Sequence, residues 1–337
     1  MRGSAAVGCG ILGTIGGTPL VRLSRLYDDI GFEVFGKLEG FNPCGSLKDR
    51  TAKSLIDSAL SEGRITNRTT IIESSSGNLG IGLAQMCLYY GLHFICVVDP
   101  KITSQNLSIL RTYGATIEMV SEPDSQTGEY LPARLRRVKS LCESIPDSFW
   151  TNQYANADNP KAHWQTMQEV IKELGRPPDQ LLCATGSCGT LRGCADYIRH
   201  VGARTQIIAV DAVGSVIFNQ APLKRLIPGH GSAVRPALFA DGLASRCVHV
   251  TDRECVIGCR RLLRREAILA GGSSGAIVSA LGLVRHEIQN DSKCVLVLSD
   301  RGDRYLDTVF SDEWVRQKLG MPSPHSETPA MEVVASC

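Results

Sequence analysis

From about residue 46 the chain alternates between two periods. Runs of five or six apolar, β-rich residues give way to longer stretches in which apolar residues recur every three or four positions. That alternation predicts βαβ units, and therefore a parallel sheet with helices packed on it. The clearest unit runs from the strand TTIIES (69–74) through a Ser/Gly/Asn turn and the helix LGIGLAQMCLYYG to the strand HFICVVD (93–99). A second follows at once, with the helix TSQNLSILRTYG and the strand TIEMV. Further on, NPKAHWQTMQEVIKELG has helical period, and QLLCA, TQIIAVDA and KCVLVLS read as strands of another α/β set.

The chain has 337 residues, 43% hydrophobic and 21% charged, enough for two packed cores. The expected division is a smaller α/β domain over 46–155 and a larger one made of 10–45 and 156–318, with 321–337 a disordered tail. A net charge of +2 with scattered basic residues gives no nucleic-acid footprint, so a small molecule is the expected partner. No apolar run reaches the roughly 20 residues of a membrane span, and the amino end lacks a signal-peptide core. A cytoplasmic protein is expected, without membrane or nucleic-acid partners. The 13 cysteines are odd in number and form no CxxC pair, which predicts reduced, mostly buried thiols. The seven histidines show neither HExxH nor a Cys/His cluster, so no catalytic metal is expected. GCGILG (8–13) fits a dinucleotide fingerprint, but no strand precedes it and no amphipathic helix follows before Pro19, so it is read as a chance match.

Three Gly/Ser-rich turns each open a predicted helix, where backbone N–H groups bind anions: SSSGNLG (74–80), TGSCGTLRG (185–193) and GGSSGAI (271–277). One such turn is commonly a plain tight turn; three in one α/β chain favour a phosphorylated or carboxylated small molecule held between domains. TGSCGT lacks the GKS/T ending of a nucleotide loop. In NPCGSLKDRTAKSLIDSAL (42–60), Lys48 stands where a helix begins, and the partial positive charge there disfavours its ammonium form. A neutral amine is a nucleophile that forms a Schiff base with an aldehyde. Pyridoxal phosphate offers such an aldehyde, together with a phosphate for a glycine turn. These residues alone leave open a solvated lysine paired with Asp49.

In order along the chain stand GGTPLVRL (16–23), NPCGSLKDR (42–50), SSGNLG (75–80), GSCGT (186–190), GGSSGA (271–276) and DRGDRYLDT (300–308). Together they span roughly residues 10–315 and resemble the cysteine synthase and cystathionine β-synthase family of fold type II pyridoxal phosphate enzymes. The resemblance implies a two-domain α/β fold like the tryptophan synthase β-subunit, with parallel-rich twisted sheets flanked by helices. It also implies a homodimer and pyridoxal 5'-phosphate as cofactor. Lys48 would then carry the cofactor and move the Cα proton, and Asn78 would hydrogen-bond its ring oxygen. Gly186, Ser187, Cys188, Gly189 and Thr190 would cup the phosphate, and Ser273 would face the pyridine nitrogen. A neutral hydroxyl there leaves the ring a weaker electron sink and favours elimination at Cβ over transamination. Ser75, Ser76 and Gln153 would grip the carboxylate of the amino acid substrate. The implied reaction is a β-replacement on an activated L-serine through an aminoacrylate.

Two positions depart from ordinary cysteine synthases: Leu79 removes a hydroxyl expected near the substrate carboxylate, and Cys188 replaces a glycine. IESSSGNLGIGLAQMC, FICVVDPKITSQNLSILRTYGA and LSDRGDRYLDTVFSDEWV resemble instead the siderophore-pathway branch of the family. That branch is associated with O-phospho-L-serine as acceptor and the amino group of L-glutamate as nucleophile, and a partner dehydrogenase would then release L-2,3-diaminopropionate. In LPARLRRVKS, Arg134 and Arg137 fall on one face of a predicted helix. Arginine forks suit a phosphate leaving group and a second carboxylate; a solvated helix face remains the alternative. Tyr154, next to Gln153, is a further candidate. Two other readings stay open. One is a cysteine synthase using O-acetylserine and sulfide; the other is a catalytically silent regulatory relative, against which Lys48, Asn78 and Ser273 argue.

Overall fold

The computed structural model describes residues 10–321, and its strands divide into two sheets. β1 (Leu20–Arg22) and β2 (Glu33–Leu38) lead into α1 (Lys48–Ser61), β3 (Thr70–Ser74), α2 (Asn78–Tyr90) and β4 (His93–Val98). Then come α3 (Ser104–Thr112), β5 (Thr116–Met119), α4 (Tyr130–Ser144) and β6 (Ser148–Trp150). The sheet order β5-β4-β3-β6 is parallel throughout. The chain continues through α5 (Asp158–Leu174), β7 (Gln180–Ala184), α6 (Gly189–His200), β8 (Gln206–Ala212) and β9 (Arg246–Val250). It ends with α7 (Asp252–Glu266), α8 (Gly272–Val284), β10 (Lys293–Leu298) and α9 (Asp312–Leu319). The second sheet, β1-β2-β10-β7-β8-β9, is parallel except at β1.

The continuous apolar runs become central strands because helices cover both faces. Successive side chains alternate between those faces. Leu182, Ile208, Val210, Leu296 and Leu298 join the core shared with α7 and α8, while Leu181, Cys183, Ile207, Ala209, Val295 and Val297 join the core shared with α5 and α6. The smaller sheet repeats the arrangement. Ile71, Phe94, Cys96 and Val98 pack with α1 and α2, and Ile72, Ile95 and Val97 with Val138 and Leu141 of α4. Each fully buried aliphatic side chain contributes about 1.5–3 kcal/mol. The thiols fit the same scheme: Cys183, Cys194 and Cys294 are fully buried core residues. Helices α7 and α8 touch backbone to backbone, and a Cβ on Gly258 would stand 1.9 Å from the carbonyl oxygen of Gly275.

Strands β1, β2, β6 and β9 carry too much polarity to stand out in the sequence. Lys37, in the middle of β2, is completely buried and bridges Glu169 (2.9 Å) and Glu173 (2.8 Å) of α5. Arg50 of α1 meets Glu39 at 2.7 Å and Glu169 at 2.6 Å, and Thr18 Oγ1 donates to Glu39. The residues of GGTPLVRL and the arginine of NPCGSLKDR thus build a buried ionic clamp that fixes α1 against α5. No described helix is long and apolar enough to cross a membrane. Of the expected tail, Met321 packs against the core of the larger sheet, and residues 322–337 lie outside the described residues.

Candidate active site

α3, α7 and α9 begin with side-chain caps from Thr103, Thr251 and Ser311, and α7 has a full capping box with Glu254. α6 and α8 begin on buried glycine-rich turns with no side-chain cap. No side chain caps their first N–H groups, which suits an anionic ligand at these helix starts. At α6 the residue before the helix, Cys188, adopts a left-handed backbone (φ 64°) and is 2% exposed. A Cβ on Gly189 would lie 2.1 Å from Asn159 Oδ1, so only glycine lets this turn close down on Asn159.

Lys48 is the first residue of α1, and its charge interacts with Cys188 of that turn and with His163. Its amine makes no hydrogen bond or ion pair among the described residues. Its pKa is lowered to about 8, with removal from water the leading cause. Burial, more than the helix end, thus sets its chemistry. Asp49 does not pair with it; its carboxylate accepts from Cys44 N (2.6 Å) and Ser46 Oγ (3.3 Å) and holds the preceding loop.

The 74–76 turn, which the resemblance assigns to the substrate carboxylate, is held by Glu73, a residue the motifs did not single out. Glu73, fully buried at the end of β3, accepts from Ser74 N (2.7 Å), Thr151 Oγ1 (2.6 Å), Gln153 N (3.1 Å) and Trp150 Nε1 (3.4 Å). It ties the 74–76 turn to Gln153, whose Nε2 also reaches Ser74 O (3.4 Å). Ser75 Oγ accepts from Gly80 N (3.0 Å), which leaves its O–H proton to donate. Asn159 Nδ2 donates to Gln153 O (2.7 Å) and Ser187 Oγ (3.2 Å), joining the substrate turn to the α6 turn. Thr190 Oγ1 lies 3.3 Å from Nε2 of His163, an imidazole kept neutral by burial and then by the charges of Lys48 and Arg50.

Arg134 and Arg137 part company. Arg134 Nη1 donates to Ser76 Oγ (2.7 Å), and its Nε stands 3.2 Å from Asp99 Oδ2 in an ion pair too poorly aligned for a hydrogen bond. Arg137 pairs with Glu118 on the outer face and is 42% exposed. Tyr154 is raised in pKa, first by burial, against the opposing charge of Arg134. Leu79 is 2% exposed and belongs to the buried apolar cluster that α1 and α2 share with β3 and β4. α2 is buried all round over this stretch, from Leu79 to Cys87.

Asn78 opens α2 and is held from both ends: Nδ2 donates to Asp300 Oδ2 (2.8 Å), and Oδ1 accepts from Arg304, which also reaches Cys44 O. One amide N–H remains for a ligand. Asp300 is also bonded by Tyr305 (2.7 Å), and its Oδ1 is buried without a partner, close to Gly271 at the start of α8. Ser273, 6% exposed, sits in the first turn of that helix. Sequence reasoning gave no role to Glu73, Asn159, His163, Asp300 or Arg304, although Asp300 and Arg304 lie within the motif DRGDRYLDT and the others stand beside motifs, in IES and NPKAH. The arrangement fits a phosphorylated aldehyde: an uncapped helix start for phosphate, an amine of lowered pKa at Lys48, and polar groups at Asn78, Asp300 and Ser273 for the ring.

The family described as "Pyridoxal-phosphate dependent enzyme" matches residues 11–300. The N-(2-amino-2-carboxyethyl)-L-glutamate synthase of Ralstonia nicotianae is 45% identical over 333 residues, covering 96% of this chain and 98% of its own. Among solved structures, a hydrogen sulfide-producing enzyme from Fusobacterium nucleatum superposes with a TM-score of 0.83 at 30% identity, covering 89% of this chain and 100% of its own. The O-acetylserine dependent cystathionine β-synthase from Helicobacter pylori does so with a TM-score of 0.84 at 31% identity, covering 90% and 99%. With its lysine, its uncapped helix start and these relatives, the chain belongs to the pyridoxal-phosphate dependent enzymes, in the branch of the cysteine and cystathionine β-synthases.

Proposed function

We propose that the protein catalyses β-replacement on O-phospho-L-serine with the amino group of L-glutamate, giving N-(2-amino-2-carboxyethyl)-L-glutamate and phosphate. The observation that carries this reading is Arg134, brought by α4 onto Ser76 of the substrate turn. A guanidinium there suits a phosphorylated or dicarboxylic substrate, and neither sulfide nor an acetyl ester calls for one. The name of the Ralstonia relative supports the same chemistry.

Pyridoxal phosphate bound in this site supplies the electron sink that makes the Cα proton of an amino acid labile. The turn from Gly186 to Thr190 and the start of α6 would hold its phosphate, Asn78 its ring oxygen, Ser273 its ring nitrogen and Lys48 its aldehyde carbon. Lys48 Nζ takes the Cα proton as the phosphate leaves Cβ, and returns it after the amine has added. Ser75, Ser76 and Gln153 orient the substrate carboxylate through their O–H and N–H donors. Arg134, with Tyr154 beside it, would neutralise the departing phosphate or receive a carboxylate of the incoming glutamate. The enzyme would work as a homodimer in the cytoplasm. The product would pass to a dehydrogenase that releases L-2,3-diaminopropionate for siderophore assembly.

Purified protein incubated with O-phospho-L-serine and L-glutamate should release phosphate and yield the amine-linked product by mass spectrometry. Turnover confined to O-acetylserine and sulfide would refute the proposal. Arg134→Gln should lower kcat/KM by at least about tenfold, the effect of one charge-assisted hydrogen bond. Arg137→Gln, on the solvated face, should change it less than twofold or so.

A further inference from the structure

The segment that follows β10 is stitched between two parts of the site. Leu47 N donates to Ser299 O (2.8 Å) and Arg301 N to Gly45 O (3.1 Å), which binds it to the loop that leads into Lys48. On its other side Ser299 N donates to Ser274 Oγ (2.9 Å), Gly271 N to Asp300 O (3.2 Å) and Gly302 N to Leu269 O (3.0 Å), which binds it to the start of α8. Arg301 Nε adds a bond to Gly40 O (2.8 Å). The backbone of 299–302 therefore has little freedom, and the Asp300 side chain leaves it from a fixed point.

Asn78 comes from elsewhere. It heads α2, which packs on the smaller sheet, whereas Asp300 and Arg304 follow a strand of the larger one. Its amide meets the Asp300 carboxylate through Nδ2 (2.8 Å) and the Arg304 guanidinium through Oδ1. A flipped amide would set its oxygen against the carboxylate and its N–H groups against the guanidinium, so the two charges allow one orientation only. Arg304 also draws electron density toward Oδ1, which makes the remaining N–H a stronger donor. The lock works in both directions. Asp300 is 4% exposed, and among the described residues its side-chain hydrogen bonds come from Asn78 and Tyr305 (2.7 Å), with Oδ1 buried and unpartnered. Loss of the Asn78 bond would strip a buried carboxylate of one of its two donors, which is costly in the interior.

We propose that Asp300 and Arg304 are positioning residues that fix the Asn78 amide so that its one free N–H serves the ring oxygen of pyridoxal phosphate. The contact is then made by a residue of the smaller sheet and aimed by residues that follow the larger one, so it forms only when the two are docked. The inference rests on the assignment of Asn78 to the ring oxygen and is independent of which substrates the enzyme joins. An N–H donor on that oxygen favours its ionised form, and the ionised form carries the visible absorbance of the bound cofactor.

Titration of the apoenzyme with pyridoxal phosphate, followed by the ratio of visible to near-ultraviolet absorbance, tests this without any substrate. Asn78→Ala should lower the ratio and weaken cofactor binding by about tenfold. Asp300→Leu, similar in size but without an acceptor, and Arg304→Met should each do the same to about the same extent. Asp300→Asn, which can still accept from Asn78, should stay within about threefold of the wild type. Added to Asn78→Ala, Asp300→Leu should cause little further loss, because both act on one contact. A normal ratio and affinity in Asp300→Leu and Arg304→Met, beside an altered Asn78→Ala, would overturn the inference. So would losses that add in full to those of Asn78→Ala, the mark of a merely structural role. If Asp300→Leu does not fold, Arg304→Met, at a part-buried position, decides alone. An unchanged spectrum in Asn78→Ala would refute the ring-oxygen assignment and the inference with it. Absence of the amine-linked product would refute only the substrates proposed above, because these titrations contain none.

Discussion

At the scale of single residues, Lys48 shows how environment overrides identity. Water is removed from around the amine, which holds its pKa at about 8. Its neutral fraction therefore grows as pH passes about 8, and the neutral form is the one that attacks an aldehyde. Capture of pyridoxal phosphate by the apoenzyme, followed by the visible absorbance of the bound cofactor, should accelerate about tenfold between pH 7 and pH 9 and then level off. An unperturbed lysine would accelerate about a hundredfold and keep rising. Lys48→Ala should lose both the absorbance band and turnover. Arg134 and Arg137 make the complementary point. Three residues apart on α4, they share a sequence pattern, but one lies against Ser76 and the other against Glu118 at the surface.

At the scale of elements, β3 organises the site more than any motif does. Glu73 ends that strand and accepts four hydrogen bonds, so it acts as an ionised acceptor even though burial raises its pKa. Glu73→Gln keeps the shape but turns an amide N–H₂ toward donors. The variant should lose about 1–3 kcal/mol of stability in urea unfolding. It should also raise KM for the amino acid substrate more than it lowers kcat, because Gln153 loses its backbone anchor. A fall in kcat at constant KM would rule out this positioning role. The central strands β3, β4, β7, β8 and β10 were legible because burial on both faces demands continuous apolar runs. β1, β2, β6 and β9 were not, since Lys37 and Glu33 in β2 and His249 in β9 interrupt the pattern that burial would otherwise impose.

At the scale of the whole molecule, the clamp of Lys37, Glu39, Arg50, Glu169 and Glu173 joins the amino-terminal strands to α1 and α5. Arg50→Met would leave Glu39, fully buried, without its cation, and should cost about 3–5 kcal/mol in equilibrium unfolding. Acid should loosen the same clamp. Burial pushes Glu169 up, but the hydrogen bond and charge of Arg50, with Gly17 N–H and Lys37, hold its pKa at about 2. A carboxylate lowered by folding stabilises fully above its ordinary value of 4.5, and that stabilisation is lost as pH falls through about 2. The urea midpoint should therefore fall as pH drops from about 5 toward 2, and less so in Glu169→Gln.

By itself the sequence determined the α/β class, the parallel sheets and the cofactor chemistry. These rest on local periods and on short motifs whose residues act where they stand: a lysine opening a helix, and glycine turns before α6 and α8. Tertiary structure decided what the flanking residues do. It buried α2 all round from Leu79 to Cys87, because β-strands and helices pack on every side of it. It brought Arg134 rather than Arg137 to Ser76, Asn159 to Gln153 and Ser187, and Asp300 to Asn78, each from a distant part of the chain. A side chain's partner across 150 or 220 residues is set by how sheets and helices pack, and no local period records it.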